Sequence, residues 1–168
     1  PASSAARPAR ELDDNLRPAF DAFDRISRLD PAARIILASS GGTVYGDARI
    51  SPVPETHPAA PVSAYGLGKL LVEQALGFFA AARGQRTAIL RISNLVGEHF
   101  RPHFTGLVGA ALGAALDGVP VPVFGDGLNV RDFVDADDAS DAILGIVAAT
   151  DRLDGSCLWN LGSGRGHS

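Results

Sequence analysis

Residues 34–46 read Arg34-Ile35-Ile36-Leu37-Ala38-Ser39-Ser40-Gly41-Gly42-Thr43-Val44-Tyr45-Gly46. The apolar run 34–38 suits a strand buried within a parallel sheet. Ser39-Ser40-Gly41-Gly42 is then expected to be the loop at that strand's carboxyl end. Ligands of open α/β sheets bind at such ends, which makes the two serines the first candidate site residues.

Outward from this run, hydrophobic spacing alternates between helix and strand. Leu12, Leu16, Phe20, Phe23 and Ile26 recur every three or four residues, which predicts an amphipathic helix from Glu11 to about Leu29, kinked or started late at Pro18. On the other side, Pro52, Pro54, Pro58 and Pro61 mark a surface stretch. A long helix is predicted from Ser63 to Arg83, ended by Gly84, where a positive φ is expected. Thr87 to Ile92 is predicted as a second strand, and Leu107 to Leu116 as a small-residue helix ending at Gly118. Val121 to Phe124 is predicted as a third strand, Asp138 to Ala149 as a helix, and Leu158 to Leu161 as a last strand. Strands and helices joined by short connections imply an α/β fold with a parallel sheet.

Composition narrows the function classes. The chain has 168 residues, 46% hydrophobic and 20% charged, which fits one globular domain or the larger part of one. Its net charge of −4 and lack of a basic cluster speak against a nucleic-acid partner. No apolar run approaches the roughly 18 residues of a membrane span, and no secretory leader is visible. A cytoplasmic protein is the expectation. The single cysteine, Cys157, has no partner for a disulfide and no metal-site spacing, so no metal site is expected. The sequence starts at Pro1 and has no methionine, so it is expected not to be a complete translation product.

The chain has fourteen arginines but one lysine, and only a lysine supplies a compact, tunable ammonium. That residue is Lys69, in Tyr65-Gly66-Leu67-Gly68-Lys69. Four residues apart on a helix, Tyr65 and Lys69 share a face. An ammonium beside a phenol favours phenolate and suits the tyrosine to take a proton from a substrate hydroxyl. Alone, such a pair is equally a solvated pair on a helix face. Three features add to it: the serines some twenty-five residues earlier, the second tyrosine at Tyr45, and the polar trio in Arg91-Ile92-Ser93-Asn94 at the end of the next strand.

These motifs resemble, in order, those of the extended short-chain dehydrogenase/reductases, specifically the NAD-dependent epimerase/dehydratase family that includes UDP-glucose 4-epimerase. The resemblance runs from about Glu11 to Gly164 and extends to Val123-Phe124-Gly125-Asp126-Gly127, Val130-Arg131-Asp132-Phe133-Val134 and Trp159-Asn160-Leu161-Gly162. It implies the C-terminal half of a doubly wound, Rossmann-like parallel sheet plus part of a small substrate-binding region. The whole chain would be one partial NAD(P)-binding domain, with substrate-binding portions at about 95–130 and 150–168.

The resemblance further implies roles. Tyr65 would be the acid/base. Lys69 would bind the nicotinamide ribose of NAD, and Ser40 or its neighbour Ser39 would hold the substrate hydroxyl. Asn15 and Ser93 would lie near the cofactor, and Ser39, Ser40 and Tyr65 would contact it as well. Asn94 and Arg131 would contact the diphosphate of a nucleotide-diphosphate sugar, and Leu107, Val123 and Phe124 would line its nucleoside. A homodimer formed through the Tyr/Lys helix and the one before it is implied too, with Leu70, Leu71, Phe78 and Phe79 offering apolar surface, although packing on the sheet alone would explain the same residues. The activity implied is epimerisation through a 4-keto intermediate. Net reduction or oxidation of a similar sugar, or a non-catalytic nucleotide-binding remnant, are the alternatives.

The sequence departs from the family's pattern at three points. Gly41 stands four before Tyr45, where the family usually carries a serine or threonine, so the hydroxyl must come from Ser40, Ser39 or Thr43. Gly42-Thr43 stands where 4,6-dehydratases carry an acidic pair, which disfavours dehydration. No G-x-x-G-x-x-G occurs to seat the cofactor pyrophosphate, and roughly 75 further residues are expected ahead of Pro1 to carry it.

Overall fold

The computed structural model describes residues 8–98, 101–102, 106–121, 123, 126–149 and 155–168. The first predicted helix is present but interrupted. It consists of α1 (Pro8–Glu11), a π-helical turn (Leu12–Leu16) and α2 (Arg17–Leu29). Pro18 falls within the first two positions of α2, where a missing N–H breaks no intrahelical bond, and the wider π turn precedes it. Strand β1 (Ile35–Ser40) includes both serines, so the expected loop begins later than the apolar run suggests. Ser40 then serves as N-cap of one short helical turn, α3 (Gly41–Val44).

Helix α4 (Ala64–Arg83) has the predicted ends. The Ser63 hydroxyl accepts the Gly66 N–H at 3.0 Å, and Gly84 takes the left-handed conformation at φ 65°. Then come β2 (Thr87–Ile92), β3 (Asn94–Val96), α5 (Leu107–Asp117), β4 (Arg131–Asp135), α6 (Ala136–Ala148), β5 (Ser156–Leu161) and β6 (Gly166–His167). Val121 and Val123 lie in no strand, contrary to expectation, while Phe124 lies outside the described residues. The sheet pairing expected there falls instead to β3 and β4.

Strands β1, β2 and β5 form a parallel sheet in that order. Their register aligns Ser40 with Ile92, and Ile92 with Leu161, so the three carboxyl ends make one level edge. The expected α/β class with a parallel sheet is therefore what the chain adopts. A second sheet pairs β3 with β4 in parallel and β4 with β6 antiparallel.

The core lies between α2, α4 and one face of the first sheet. Phe23, Val72, Ala75, Leu76 and Phe79 pack on Ile35 and Ile89. Leu76 is fully buried, a burial worth about 1.5–3 kcal/mol. Phe79 meets Phe20 and Phe23 edge to face at 5.5 and 6.1 Å, so of its two readings, dimer surface or packing on the sheet, it takes the second. Phe78 beside it is exposed. Among the described residues, no helix is long and apolar enough to cross a membrane, and no cluster of side chains could hold a metal ion.

Candidate active site

Tyr65, Lys69 and Glu73 follow one another at intervals of four along α4 and therefore share one face. The stripe runs from a tyrosine that is 39% exposed in the first turn to a glutamate that is 4% exposed. Between them, the Lys69 ammonium lies 5.7 Å from the centre of the Tyr65 ring and donates to the Ala38 carbonyl of β1 at 3.4 Å. The lysine thus sits near the carboxyl edge of the sheet with its charge beside the phenol.

The buried end of the stripe anchors α4. Arg91 of β2 grips Glu73 with two nitrogens, Nη2 to Oε2 at 2.7 Å and Nε to both oxygens at 3.1 and 3.2 Å. Burial disfavours the charged guanidinium, but the hydrogen bonds and charge of Glu73, together with Tyr45, outweigh that cost and Arg91 holds its proton more firmly than a free arginine. Ser39 Oγ also donates to Glu73, at 2.5 Å.

Side chains alternate across a strand, so Ser39 faces α4 with Ile35 and Leu37 while Ser40 faces the other way. The two serines proposed for one role are therefore separated. Ser39 has its hydroxyl on a buried carboxylate, and Ser40, half-buried at the start of α3, makes no side-chain capping bond. Thr43 Oγ1 is buried without a hydrogen-bond partner. A Cβ at Gly41 would come within 2.9 Å of the Arg91 carbonyl oxygen. Gly41→Ser is accordingly expected to destabilise the protein by about 1–3 kcal/mol in urea unfolding rather than restore a hydroxyl to the site; a variant as stable as the parent would contradict this packing.

An open cleft of about 850 Å³ adjoins the same edge. Ser93, Asn94 and Arg131 lie on its wall, with Gly41 and Gly42 beside Ser40; Tyr65, Lys69, Ser40 and Asn15 are not on it. Asn94 Nδ2 donates to the Asp132 carbonyl at 2.9 Å, which fixes β3 on β4, and Arg131 is exposed with Nη1 on the Val130 carbonyl. Asn15 is half-buried in the π turn, which packs on α4. Leu107 and Val123 are exposed and do not line the cleft.

Two structural residues escaped the sequence-based assignment. Asp132 accepts hydrogen bonds from the Ser163 and Gly164 amides at 2.9 and 2.8 Å and from the Ser163 hydroxyl at 2.9 Å, tying the turn after β5 to β4. Glu55 accepts the Asn160 N–H at 2.9 Å, and this bond, with a second from its own backbone, holds its carboxyl below the ordinary glutamate range. That tie is intact above the ordinary range and is lost as pH falls through the lowered value. The proline stretch marked a loop but gave no sign of its partner a hundred residues on.

The model of the NAD dependent epimerase/dehydratase family matches residues 1–162. A putative UDP-glucose 4-epimerase of Methanocaldococcus jannaschii is 34% identical over 143 residues, which are 84% of this chain and 47% of that protein. The structure of UDP-glucose 4-epimerase with UDP-glucose from Thermotoga maritima superposes with a TM-score of 0.87 at 32% identity, covering 99% of this chain and 53% of that one. The Brucella ovis UDP-glucose 4-epimerase in complex with NAD superposes with a TM-score of 0.86 at 29% identity, covering 99% and 55%. The chain spans about half the length of the curated relatives it matches.

Proposed function

The chain belongs to the NAD dependent epimerase/dehydratase family, and from that premise we propose that the protein is a UDP-sugar 4-epimerase working through a 4-keto intermediate. The observation that carries this reading is the Tyr65–Lys69 pair on one helix face, with the ammonium 5.7 Å from the phenol ring and at the carboxyl end of β1.

The donor set fits a nicotinamide cofactor. Lys69 offers ammonium donors to ribose hydroxyls at the sheet edge, Tyr65 is open to solvent beside it, and Asn15 and Ser93 belong to the same cofactor-holding set. Bound NAD supplies the redox chemistry at C4 of the sugar. Tyr65 Oη takes the proton of the C4 hydroxyl and later returns it, and the charge on Lys69 favours the phenolate that this requires. Ser40 holds the substrate hydroxyl, since the Ser39 hydroxyl is committed to Glu73. Asn94 and Arg131 bind the diphosphate, with Arg131 matching paired phosphate oxygens, and Leu107, Val123 and Phe124 line the nucleoside. In this reading residues 1–168 form one partial Rossmann-like domain, with substrate-binding portions at about 95–130 and 150–168. The enzyme is a cytoplasmic homodimer joined through α2 and α4, where Phe78 is 64% exposed.

The test is to denature the purified full-length protein and measure released NAD, and to follow conversion of UDP-glucose to UDP-galactose by the native protein. Released NAD with conversion is expected. Bound NAD without conversion of any UDP-hexose would sink the epimerase reading and leave the family intact.

A further inference from the structure

Tyr45 is the other of the chain's two tyrosines, and the chemistry proposed for Tyr65 makes no use of it. It is 4% exposed, yet it forms part of the cleft wall. Its ring lies 4.7 Å from the Arg91 guanidinium and meets the His57 ring edge-on at 5.9 Å. Its hydroxyl donates to Asn160 Oδ1 at 2.7 Å. Asn160 in turn donates through Nδ2 to the Val53 carbonyl at 2.7 Å and through its backbone N–H to Glu55. One phenol therefore joins three parts of the molecule: the Val53–His57 segment, the end of β5 and, through Arg91 and Glu73, the helix that carries Tyr65. Tyr45, Val53, Glu55, Arg91 and Asn160 all line the cleft.

We infer that Tyr45 is a positioning residue that latches the Val53–His57 wall of the cleft in register with α4, so that the nucleotide sugar meets a preformed wall. A preformed wall lowers the ordering cost of binding and so acts on KM more than on kcat. The inference rests on the proposed UDP-sugar function, and its test separates the two.

Tyr45→Phe in the full-length protein removes one oxygen and leaves the ring over Arg91. KM for UDP-glucose is expected to rise about five- to tenfold, with kcat within about twofold of the parent. Asn160→Ala should act similarly, and the double variant should be no worse than the more impaired single one. Amide hydrogen exchange at Val53, Glu55, Thr56 and His57 is expected to accelerate about tenfold while Leu76 and Leu90 keep parental rates. A fall in kcat at unchanged KM, or no kinetic change, overturns the inference. If the parent protein converts no UDP-sugar, the functional reading has failed, and the exchange pattern decides the latch by itself: unchanged rates at 53–57 overturn it.

Discussion

Tyr65→Phe is expected to lower kcat for UDP-sugar interconversion by about 10²–10⁴-fold and to leave KM within about twofold. The substitution removes the proton-carrying oxygen from a tyrosine that is 39% exposed, in the first turn of α4 and outside the buried core. Unfolding in urea should follow the parent curve. Initial rates across a range of UDP-glucose concentrations decide it. A variant that retains more than about a tenth of the parent kcat would remove Tyr65 from proton transfer, since general acid–base catalysis is worth at least about a hundredfold.

Glu73→Ala is expected to cost about 3–5 kcal/mol of stability, read as a lower urea midpoint at unchanged slope. Glu73 and Arg91 side chains are 4% and 6% exposed, and the pair is closed by three hydrogen bonds. Removing the carboxylate strands a guanidinium in the interior and takes the acceptor from Ser39 as well. Arg91 has Tyr45 over one face, which blunts the loss without supplying a counter-charge. A loss under about 1 kcal/mol would mean that the pair is hydrated, contrary to its burial.

Features that depend on local chemistry were readable before the structure. Ser63 and Gly84 bound α4 because one offers a capping oxygen and the other tolerates positive φ, and both act over a single turn. Tyr65 and Lys69 could be paired because four residues on a helix decide their neighbourhood. The three-residue β3 and two-residue β6 are too short to show a period, and the apolar Val121 and Val123 mimicked one in their place. The serines looked like loop because serine is common in loops, yet a parallel ladder asks only for backbone groups, and both stay in it.

Long-range partners were the least legible. Nothing local in Leu70-Leu71-Val72-Glu73-Gln74-Ala75-Leu76 pointed from Glu73 to Arg91, eighteen residues on, or to Ser39 on the preceding strand. Tyr45 and Asn160 stand 115 residues apart and meet only because β5 lies two strands from β1. For the same reason Ser39 and Ser40 stayed interchangeable until strand alternation put them on opposite faces of the sheet.

Epimerisation at C4 can be followed through the fate of deuterium at C4 of UDP-glucose during turnover by the full-length protein. Epimerisation through a 4-keto sugar returns to C4 the hydrogen that left it, so the UDP-galactose formed should keep the deuterium and take none from solvent. Product with the C4 label washed out into water would contradict the account, because the stereocentre would then have inverted by exchange of a carbon-bound proton.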